Sequence, residues 1–267
     1  MKNINTLIIP DVHGRTFWKD ALNDFPKKDY PKLTIVFLGD YLDPYDFEGI
    51  SNEEALKNFK EILEITRKDK RIHLLIGNHD LHYLYPKDSC RIDYENFMEI
   101  KNLFEDNLDI IKVAYSKKVN DRKYLFTHAG VTKNWLLDVR KYANVKLLKN
   151  KIDTLENKEY CSKLTKLKAS VKSLNSLLDN SIGLSYLHMI SFLRGGSDLY
   201  GSCIWADVNE HLFENNSIKD DIFQIFGHSL GYPSFDKPYI DIERKFAMLD
   251  CMTSWILDND NNLIQYK

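Results

Sequence analysis

Five short clusters in the sequence combine aspartate, asparagine or histidine with glycine, and each follows a short apolar run. Carboxylate, amide and imidazole groups suit manganese, iron and zinc, and no cysteine belongs to the set. The glycines allow sharp turns and a close approach of the backbone to a ligand. The clusters are Asp11-Val12-His13-Gly14, Gly39-Asp40-Tyr41-Leu42-Asp43, Gly77-Asn78-His79-Asp80, Thr127-His128-Ala129-Gly130 and Phe226-Gly227-His228-Ser229.

Each cluster also has an ordinary structural explanation when it is taken singly. Asp11 can cap a helix, and Gly39-Asp40 and Gly77-Asn78 can be simple turns. A lone histidine after an apolar run, such as His128, is more often a core or surface residue than a ligand. Five clusters in this order, each at the end of an apolar run, make coincidence improbable and predict a metal centre.

The apolar runs before the clusters predict the strands that position them. They are short and rich in isoleucine, valine, leucine and phenylalanine, which is typical of strands covered on both faces. In layered α/β sheets the carboxyl ends of the strands line the ligand crevice, so we expect the clusters to converge. The predicted strands are Thr6–Pro10, Leu33–Leu38, His73–Ile76, Tyr124–Thr127, Ile222–Phe226 and Phe246–Leu249.

Helical patterns alternate with these strands. Ser51 to Glu54 form a capping box, and an apolar stripe follows from Ala55 to Leu63. A second stripe runs from Phe97 to Phe104, after a predicted cap at Asp93. This alternation predicts an α/β layered architecture.

Residues 134–181 break the alternation, because they are rich in lysine and contain no run typical of a strand. Their apolar residues repeat at a spacing of four and three, which predicts a coiled-coil-like seam on a helix. We favour a helical insertion that packs on its own chain, and the alternative is a dimerisation arm or a lid. Without a repeat or a linker, residues 1–267 are expected to form a single domain. The seam residues are Tyr160, Leu164, Leu167, Val171, Leu174 and Leu178.

Composition and charge exclude several classes of protein. The hydrophobic fraction of 43% and the charged fraction of 28% are typical of a globular enzyme. The net charge of −2 indicates no nucleic-acid surface. No apolar run approaches the ~20 residues that span a bilayer, and the amino terminus has no signal-peptide pattern. With four dispersed cysteines, we expect a cytoplasmic protein with reduced thiols.

The ordered motifs DxH, GDxxD, GNHD, HAG and GH resemble the calcineurin-like metallophosphoesterase superfamily, from Asp11 to about Asp250. The resemblance implies a four-layer αββα sandwich of two mixed sheets with flanking helices. It further implies two divalent metal ions (Mn²⁺, Fe²⁺ or Zn²⁺) and a hydroxide between them that attacks phosphorus. The lone final histidine is similar to the branch that contains phosphoprotein phosphatases and diadenosine tetraphosphatases.

The same resemblance implies roles for single residues. His79 would protonate the leaving oxygen while Asp43 holds its ring in orientation, and Asp80 would be structural. Asp40 would bridge the two ions. The implied ligands are Asp11, His13 and Asp40 for the first ion, and Asp40, Asn78, His128 and His228 for the second.

Two positions depart from the family pattern. Leu230 stands where much of the superfamily has a second histidine, and Pro44 stands where this branch has a phosphate-binding arginine. Another cation is therefore expected to bind the substrate phosphate. The candidates are Arg194, which we favour because two glycines follow it, Arg91 and Arg15.

These residues predict a phosphomonoesterase that acts on a phosphoprotein or a nucleotide. The expected partner is a phosphorylated small molecule, nucleotide or phosphopeptide, with a possible homodimer through the helical insertion. One alternative is a pyrophosphohydrolase of dinucleoside polyphosphates, and another is a catalytically weak module that binds phosphate. A pure binding module needs no general acid, so the pair of His79 and Asp43 argues against it.

Overall fold

Two sheets form the centre of the computed structural model, which describes residues 3–87, 91–149, 152, 154–213, 216–218, 221–229 and 237–267. Eleven strands lie within these residues. They are β1 (Ile4–Ile9), β2 (Thr34–Phe37), β3 (Ile72–Leu75), β4 (Ile111–Lys112), β5 (Tyr115–Val119), β6 (Arg122–Phe126), β7 (Ile222–Phe226), β8 (Tyr239–Asp241), β9 (Phe246–Met248), β10 (Trp255–Asp258) and β11 (Leu263–Gln265).

The described helices cover the outer faces of the sheets or connect the strands. They are α1 (Phe17–Asn23), α2 (Asn52–Lys68), α3 (Asn78–Leu84), α4 (Phe97–Glu105), α5 (Lys133–Leu148), α6 (Leu155–Leu164), α7 (Val171–Asn175), α8 (Ser181–Leu187) and α9 (Val208–Leu212). Short 3₁₀ turns lie at Asp46–Glu48, Ser176–Asp179 and Phe192–Arg194.

Both sheets are mixed. The six-stranded sheet has the order β11-β10-β1-β2-β3-β4, and the five-stranded sheet has the order β5-β6-β7-β9-β8. Strands β1 to β4 run parallel, as do β6, β7 and β9, whereas the remaining pairs are antiparallel. The carboxyl ends of the parallel strands therefore meet at one edge of each sheet.

Three apolar layers hold the sheets and helices together. Between the sheets, Ile8 and Val36 of one sheet pack with Phe126 and Ile225 of the other. A larger cluster joins the outer side of the first sheet to helices such as α2, through Phe59 among others. A third cluster lies on the outer face of β7 and β9. The predicted four-layer αββα sandwich is confirmed.

Each of the six predicted strands is present within two residues of the expected bounds. Helix α2 begins at the predicted capping box, in which the Ser51 hydroxyl accepts the Glu54 backbone N–H at 3.2 Å. The predicted cap at Asp93 is wrong, because the N-cap of α4 is Asn96. Asp93 instead accepts the Asn96 backbone N–H at 3.0 Å, so it supports the cap from three residues upstream.

Within residues 134–181 the described part of the chain is helical, but the expectation of one continuous seam is wrong. The seam residues are divided among α6, α7, the turn between them and the 3₁₀ turn Ser176–Asp179, and separate caps at Thr154 and Ser170 start the two helices. Tyr160, Leu164 and Leu174 are buried in the core of this same chain. Because Val171 and Leu178 of the seam are only partly buried, the homodimer through this segment stays a prediction.

None of the helices in the described residues combines the length and the apolar character that a membrane span requires.

Candidate metal centre

The loops that follow β1, β2, β3, β6 and β7 meet at one edge of the two sheets. The backbone N–H groups of Val12 and His13 donate to the Asp40 carbonyl at 3.0 and 2.7 Å, which joins the first two loops. A Cβ atom on Gly39, at φ +110°, would lie 2.5 Å from the Gly77 nitrogen, so only glycine allows the second and third loops to touch.

Several residues of these loops adopt a left-handed backbone that side chains rarely accept. His13, Asp40, Asp43 and His228 have φ values of 44°, 52°, 57° and 68°. Each such residue costs of order 1–3 kcal/mol and persists only where the surrounding structure enforces it. Such strain gathers at functional sites, which agrees with the predicted importance of these residues.

The first group of candidate ligands is Asp11, His13 and Asp40. Their ligand atoms lie within 4.8 Å of one another, and all three residues are buried. The His13 Nδ1 atom lies 2.8 Å from the Leu42 carbonyl, to which it can only donate. The Nε2 lone pair of the neutral ring then faces Asp40 Oδ2 at 3.5 Å. This group can hold one cation.

The second group contains Asp40, His128 and His228, again within 4.8 Å of one another and buried. His128 Nδ1 lies 2.9 Å from the Leu38 carbonyl, so His128 Nε2 carries the lone pair in the neutral ring. The Asn78 Oδ1 atom lies 2.9 Å from His128 Nε2 and 2.7 Å from His228 Nδ1. Asn78 therefore joins this group, as the sequence predicted.

The ligand atoms of the two groups offer more hydrogen-bond-accepting lone pairs than there are N–H protons to bond them. Around His128 Nε2 lie Asn78 Oδ1 at 2.9 Å, His228 Nδ1 at 3.2 Å and Asp40 Oδ2 at 3.4 Å. Buried acceptors that face one another are costly unless a cation lies among them. The backbone carbonyls on the far nitrogens of His13 and His128 are the partners that orient metal-binding imidazoles. The residues therefore fit the two ions.

The electrostatics of the histidines agree with this fit. Burial lowers the pKa of His13 to about 3 and that of His228 well below its usual value, so both rings are neutral, the form that binds metal. Burial opposes the charge on His128 too, but Asp40 and Asp11 raise its pKa to about 10. The carboxylates thus favour a positive charge at this position, which a metal ion can supply.

Asp80 binds the backbone of the loops. Its carboxylate accepts the N–H groups of Gly77 at 2.7 Å, Asp40 at 2.8 Å and Tyr41 at 3.0 Å. The side chain therefore clamps the second loop to the third and does not face the two ligand groups. This placement agrees with the structural role expected from the sequence.

His79 lies beside the ligand groups with its ring held by Asp43. The His79 Nδ1 atom is 2.9 Å from Asp43 Oδ2, and the Tyr83 hydroxyl donates to Asp43 Oδ1 at 2.6 Å. His82 Nε2 also lies 2.9 Å from Asp43 Oδ2. Although burial raises the pKa of Asp43, the bonds from His79 and His82 lower it below its usual value. These contacts have hydrogen-bond lengths, so the trio orients His79.

The three candidate arginines lie in different surroundings. Arg91 donates from Nη1 to the Asp43 carbonyl at 2.8 Å, and its Nη2 is 2.9 Å from His79 Nε2. Arg194 donates to the His228 carbonyl at 3.1 Å. Arg15 is paired with Glu48, with Nε 2.6 Å from Oε1, and is buried. Arg91 and Arg194 therefore border the centre, whereas Arg15 is bonded to Glu48 and to the backbone carbonyl of Asp11.

Sequence reasoning missed several residues that surround His79 and His13. His82 and Tyr83 follow on α3, and Tyr45 lies edge-on to His13 with ring centroids 5.1 Å apart. A guanidinium–ring contact of 3.8 Å joins Arg91 to Tyr45. The spacing of His79 and His82 was an available signal, because residues three apart share one face of a helix. Leu230 lies outside the described residues.

Comparison with known proteins gives one match by family. The sequence model of the family described as calcineurin-like phosphoesterase matches residues 4–232. No curated protein sequence matches the chain.

The solved structures that align with the chain include two phosphatases. One was assigned as a diadenosine tetraphosphatase, with 11% identity over 99% of this chain and 93% of that chain and a TM-score of 0.46. The other is a protein serine/threonine phosphatase from Saccharomyces cerevisiae with similarity to human phosphatase PP5. It shows 14% identity over 99% of this chain and 79% of that chain, with a TM-score of 0.47.

Proposed function

We propose, because the chain belongs to the calcineurin-like phosphoesterase family, that its metal centre hydrolyses phosphate monoesters of a phosphoprotein or a nucleotide. The family and the paired ligand groups support metal-dependent hydrolysis of phosphate esters. The single observation that carries the finer proposal is His79, which lies beside both ligand groups with its ring held on Asp43. A hydrolase needs such a proton donor, whereas a phosphate-binding module does not.

The ligand sets assign the residues that hold each ion. Asp11, His13 and Asp40 would hold the first ion, while Asp40, Asn78, His128 and His228 would hold the second. Two divalent ions, when bound, supply a water-derived nucleophile at neutral pH and stabilise the charge that develops on phosphate. The mixture of imidazole, carboxylate and amide groups suits Mn²⁺, Fe²⁺ or Zn²⁺.

His79 is the general acid in this proposal. Its Nδ1–H donates to Asp43, and Arg91 Nη2 donates to its Nε2 at 2.9 Å. When Arg91 turns to the substrate phosphate, Nε2 is the nitrogen that takes up a proton and faces the leaving oxygen. Protonated Nε2 gives its proton to the departing ester oxygen as the P–O bond breaks. Asp43 stabilises the charged ring before the transfer, and Tyr83 keeps Asp43 in place.

Arg91 is the cation that we assign to the substrate phosphate. Its guanidinium donates to the carbonyl of Asp43, so it borders position 44, where this branch of the family has its arginine. Arg194 approaches from the side of His228. A terminal phosphate has three free oxygens and two negative charges, which two guanidinium groups and two ions can satisfy together.

The first test separates His79 from the metal ligands. Proton donation is worth about 10²–10⁴ in rate when the leaving group is poor. We expect His79→Asn to retain two metals, keep much of its activity on nitrophenyl phosphate, and lose far more on an alkyl phosphate. Asp43→Asn should show the same selective loss in milder form. Equal loss on both substrates together with lost metal would make His79 a ligand or a structural residue.

The same assay tests the substrate class. Wild-type protein with added metal should release inorganic phosphate from a nucleoside monophosphate or a phosphopeptide faster than it splits a dinucleoside polyphosphate. The reverse preference would support the pyrophosphohydrolase. Absence of turnover on all three, with phosphate still bound, would support the binding module.

The proposed cytoplasmic location agrees with the buried free thiols of Cys161 and Cys203.

A further inference from the structure

Asp250 reaches the edge of the sheets where the metal ligands gather. It follows β9, which pairs in parallel with β7, the strand that leads to His228. The Leu249 backbone N–H donates to the Phe226 carbonyl at 2.8 Å, which fixes the chain just before Asp250 beside the chain just before His228. The side chain therefore emerges next to the centre from a strand that supplies none of the ligands assigned above.

Among the described residues, no basic side chain forms an ion pair with the buried Asp250 carboxyl group. Asp250 is only 2% exposed, and its Oδ1 atom has no hydrogen-bond partner among the described residues. The nearby guanidinium of Arg15 is bonded to Glu48 and to the Asp11 carbonyl instead. A buried carboxylate with an unbonded oxygen is unfavourable unless a cation compensates its charge.

The charges that act on Asp250 belong to the centre or to its border. Burial raises its pKa well above the usual value, and Asp11 and Asp40 raise it further. Arg15 and His128 act in the opposite direction. Asp11 and Asp40 are two of the three groups assigned to the first ion, so a cation at that position would face a third carboxylate.

The two ligand groups are also unequal. The second ion has four protein groups, whereas the first has only Asp11, His13 and Asp40. Asp250 is not one of the side chains whose ligand atoms lie within 4.8 Å of one another. Its place is therefore outside the direct ligands, where a carboxylate can accept hydrogen bonds from water around an ion.

We propose that Asp250 retains the ion at Asp11, His13 and Asp40, because the bound cation favours the ionised form of Asp250 and this carboxylate accepts hydrogen bonds from the water around that ion. This inference rests on the proposed metal centre. Partners in this position typically change metal affinity by about 10- to 100-fold. Asp11, a ligand of the first ion alone, accepts the His228 backbone N–H at 2.9 Å and so lies beside the strand ends from which His228 and Asp250 emerge. We therefore expect the ion that has Asp11 as a ligand to be weakened and the other ion to keep its affinity.

The test measures metal binding rather than activity. Metal-free Asp250→Asn, which keeps the shape and loses the charge, is titrated with Mn²⁺ in a calorimeter. We expect two sites, one close to wild-type affinity and one weakened by about 10- to 100-fold. Two sites of unchanged affinity would overturn the proposal, and so would an equal weakening of both.

Glu210→Gln is the matched control, because Glu210 is a fully buried acid whose partners are the N–H groups of Gly201 and Asp207. It should leave both affinities unchanged, and a loss of one site there would show that any buried charge has the effect. Asp250→Ser provides a second variant if Asp250→Asn does not fold, with the same expectation. Failure of the proposed function would appear separately, as wild-type protein that binds two ions without hydrolysing phosphate esters.

Discussion

Arg91 illustrates how single side chains combine several roles near the centre. Its guanidinium contacts His79 (the proposed general acid), the backbone of Asp43 and the ring of Tyr45 at once. The planar fork of an arginine makes such contacts in fixed directions, which a lysine cannot reproduce. In the absence of substrate, Arg91 lies on the nitrogen of His79 that is expected to donate the proton. Substrate phosphate would compete for the same guanidinium.

The resulting prediction concerns substrate affinity. Arg91→Lys should raise KM for nitrophenyl phosphate by about 10- to 100-fold, the worth of hydrogen bonds to a charged group, while two metals remain bound. Arg140→Lys is the control, since Arg140 bonds the Leu167 carbonyl at 2.7 Å away from the centre. Steady-state kinetics and elemental analysis of both variants check this prediction. An unchanged KM in Arg91→Lys would indicate that Arg194, and not Arg91, binds the substrate phosphate.

At this scale the sequence identified residue types well and orientations poorly. The polar residues at strand ends come together as predicted, because parallel strands must end at the same edge. Asp250 follows a predicted strand in the same way and was still overlooked, since no glycine or histidine stands beside it. The tautomers of His13 and His128 depend on carbonyls of Leu42 and Leu38, which only the fold brings near.

The loops between strands and helices form the centre by touching one another. Gly77 shows how little space they leave, because a Cβ atom there would lie 2.1 Å from Asp40 Oδ1. Asp40 belongs to both ligand groups, so a shift of this loop affects both ions. The N–H of His79 holds Asp40 Oδ1 from the other side, at 2.9 Å.

Gly77→Ala is therefore expected to displace the Asp40 carboxylate and to weaken both ions by at least about tenfold. Gly49→Ala is the control, because its Cβ meets open space although φ is +67°. That variant should cost about 1 kcal/mol of backbone strain and retain both ions. Metal titration of the two purified variants gives the comparison, and equal affinities would show that the Gly77 contact is unimportant.

Among the elements, the buried strands were predictable and several edge strands were not. Strand β5 carries two lysines and lies at the edge of its sheet, so it lacks the continuous apolar run of β2 or β7. For residues 134–181 the sequence led to a different error, the prediction of one continuous seam. Its spacing of four and three reflects burial against the core, and burial continues across the breaks between α6 and α7. Spacing alone cannot reveal those breaks.

The whole molecule depends on the centre because it joins the two sheets. Asp11, from the six-stranded sheet, accepts the His228 N–H of the five-stranded sheet at 2.9 Å. His128 Nδ1 donates to the Leu38 carbonyl across the same boundary. Ions held between Asp40 and the histidines add further links. Bound metal should therefore stabilise the folded state as a whole.

Removal of the ions is expected to lower the melting temperature. Metal at 100 times its Kd contributes about 2.7 kcal/mol per site, which corresponds to about 5 °C or more for a domain of this size. Calorimetry with and without a chelator measures the change. Asp40→Asn, which has lost both ions in this account, should melt at the same temperature in either condition. A chelator effect of equal size in that variant would point to ions bound elsewhere.

The most direct test is a metal titration of activity. Chelator-treated, metal-free protein at a concentration well above its Kd for metal receives Mn²⁺ stepwise while it hydrolyses nitrophenyl phosphate. We expect negligible turnover without metal and a rise that levels off at two ions per chain, because both ligand groups must be filled. Activity that is complete at one ion, or that survives without metal, would contradict the account.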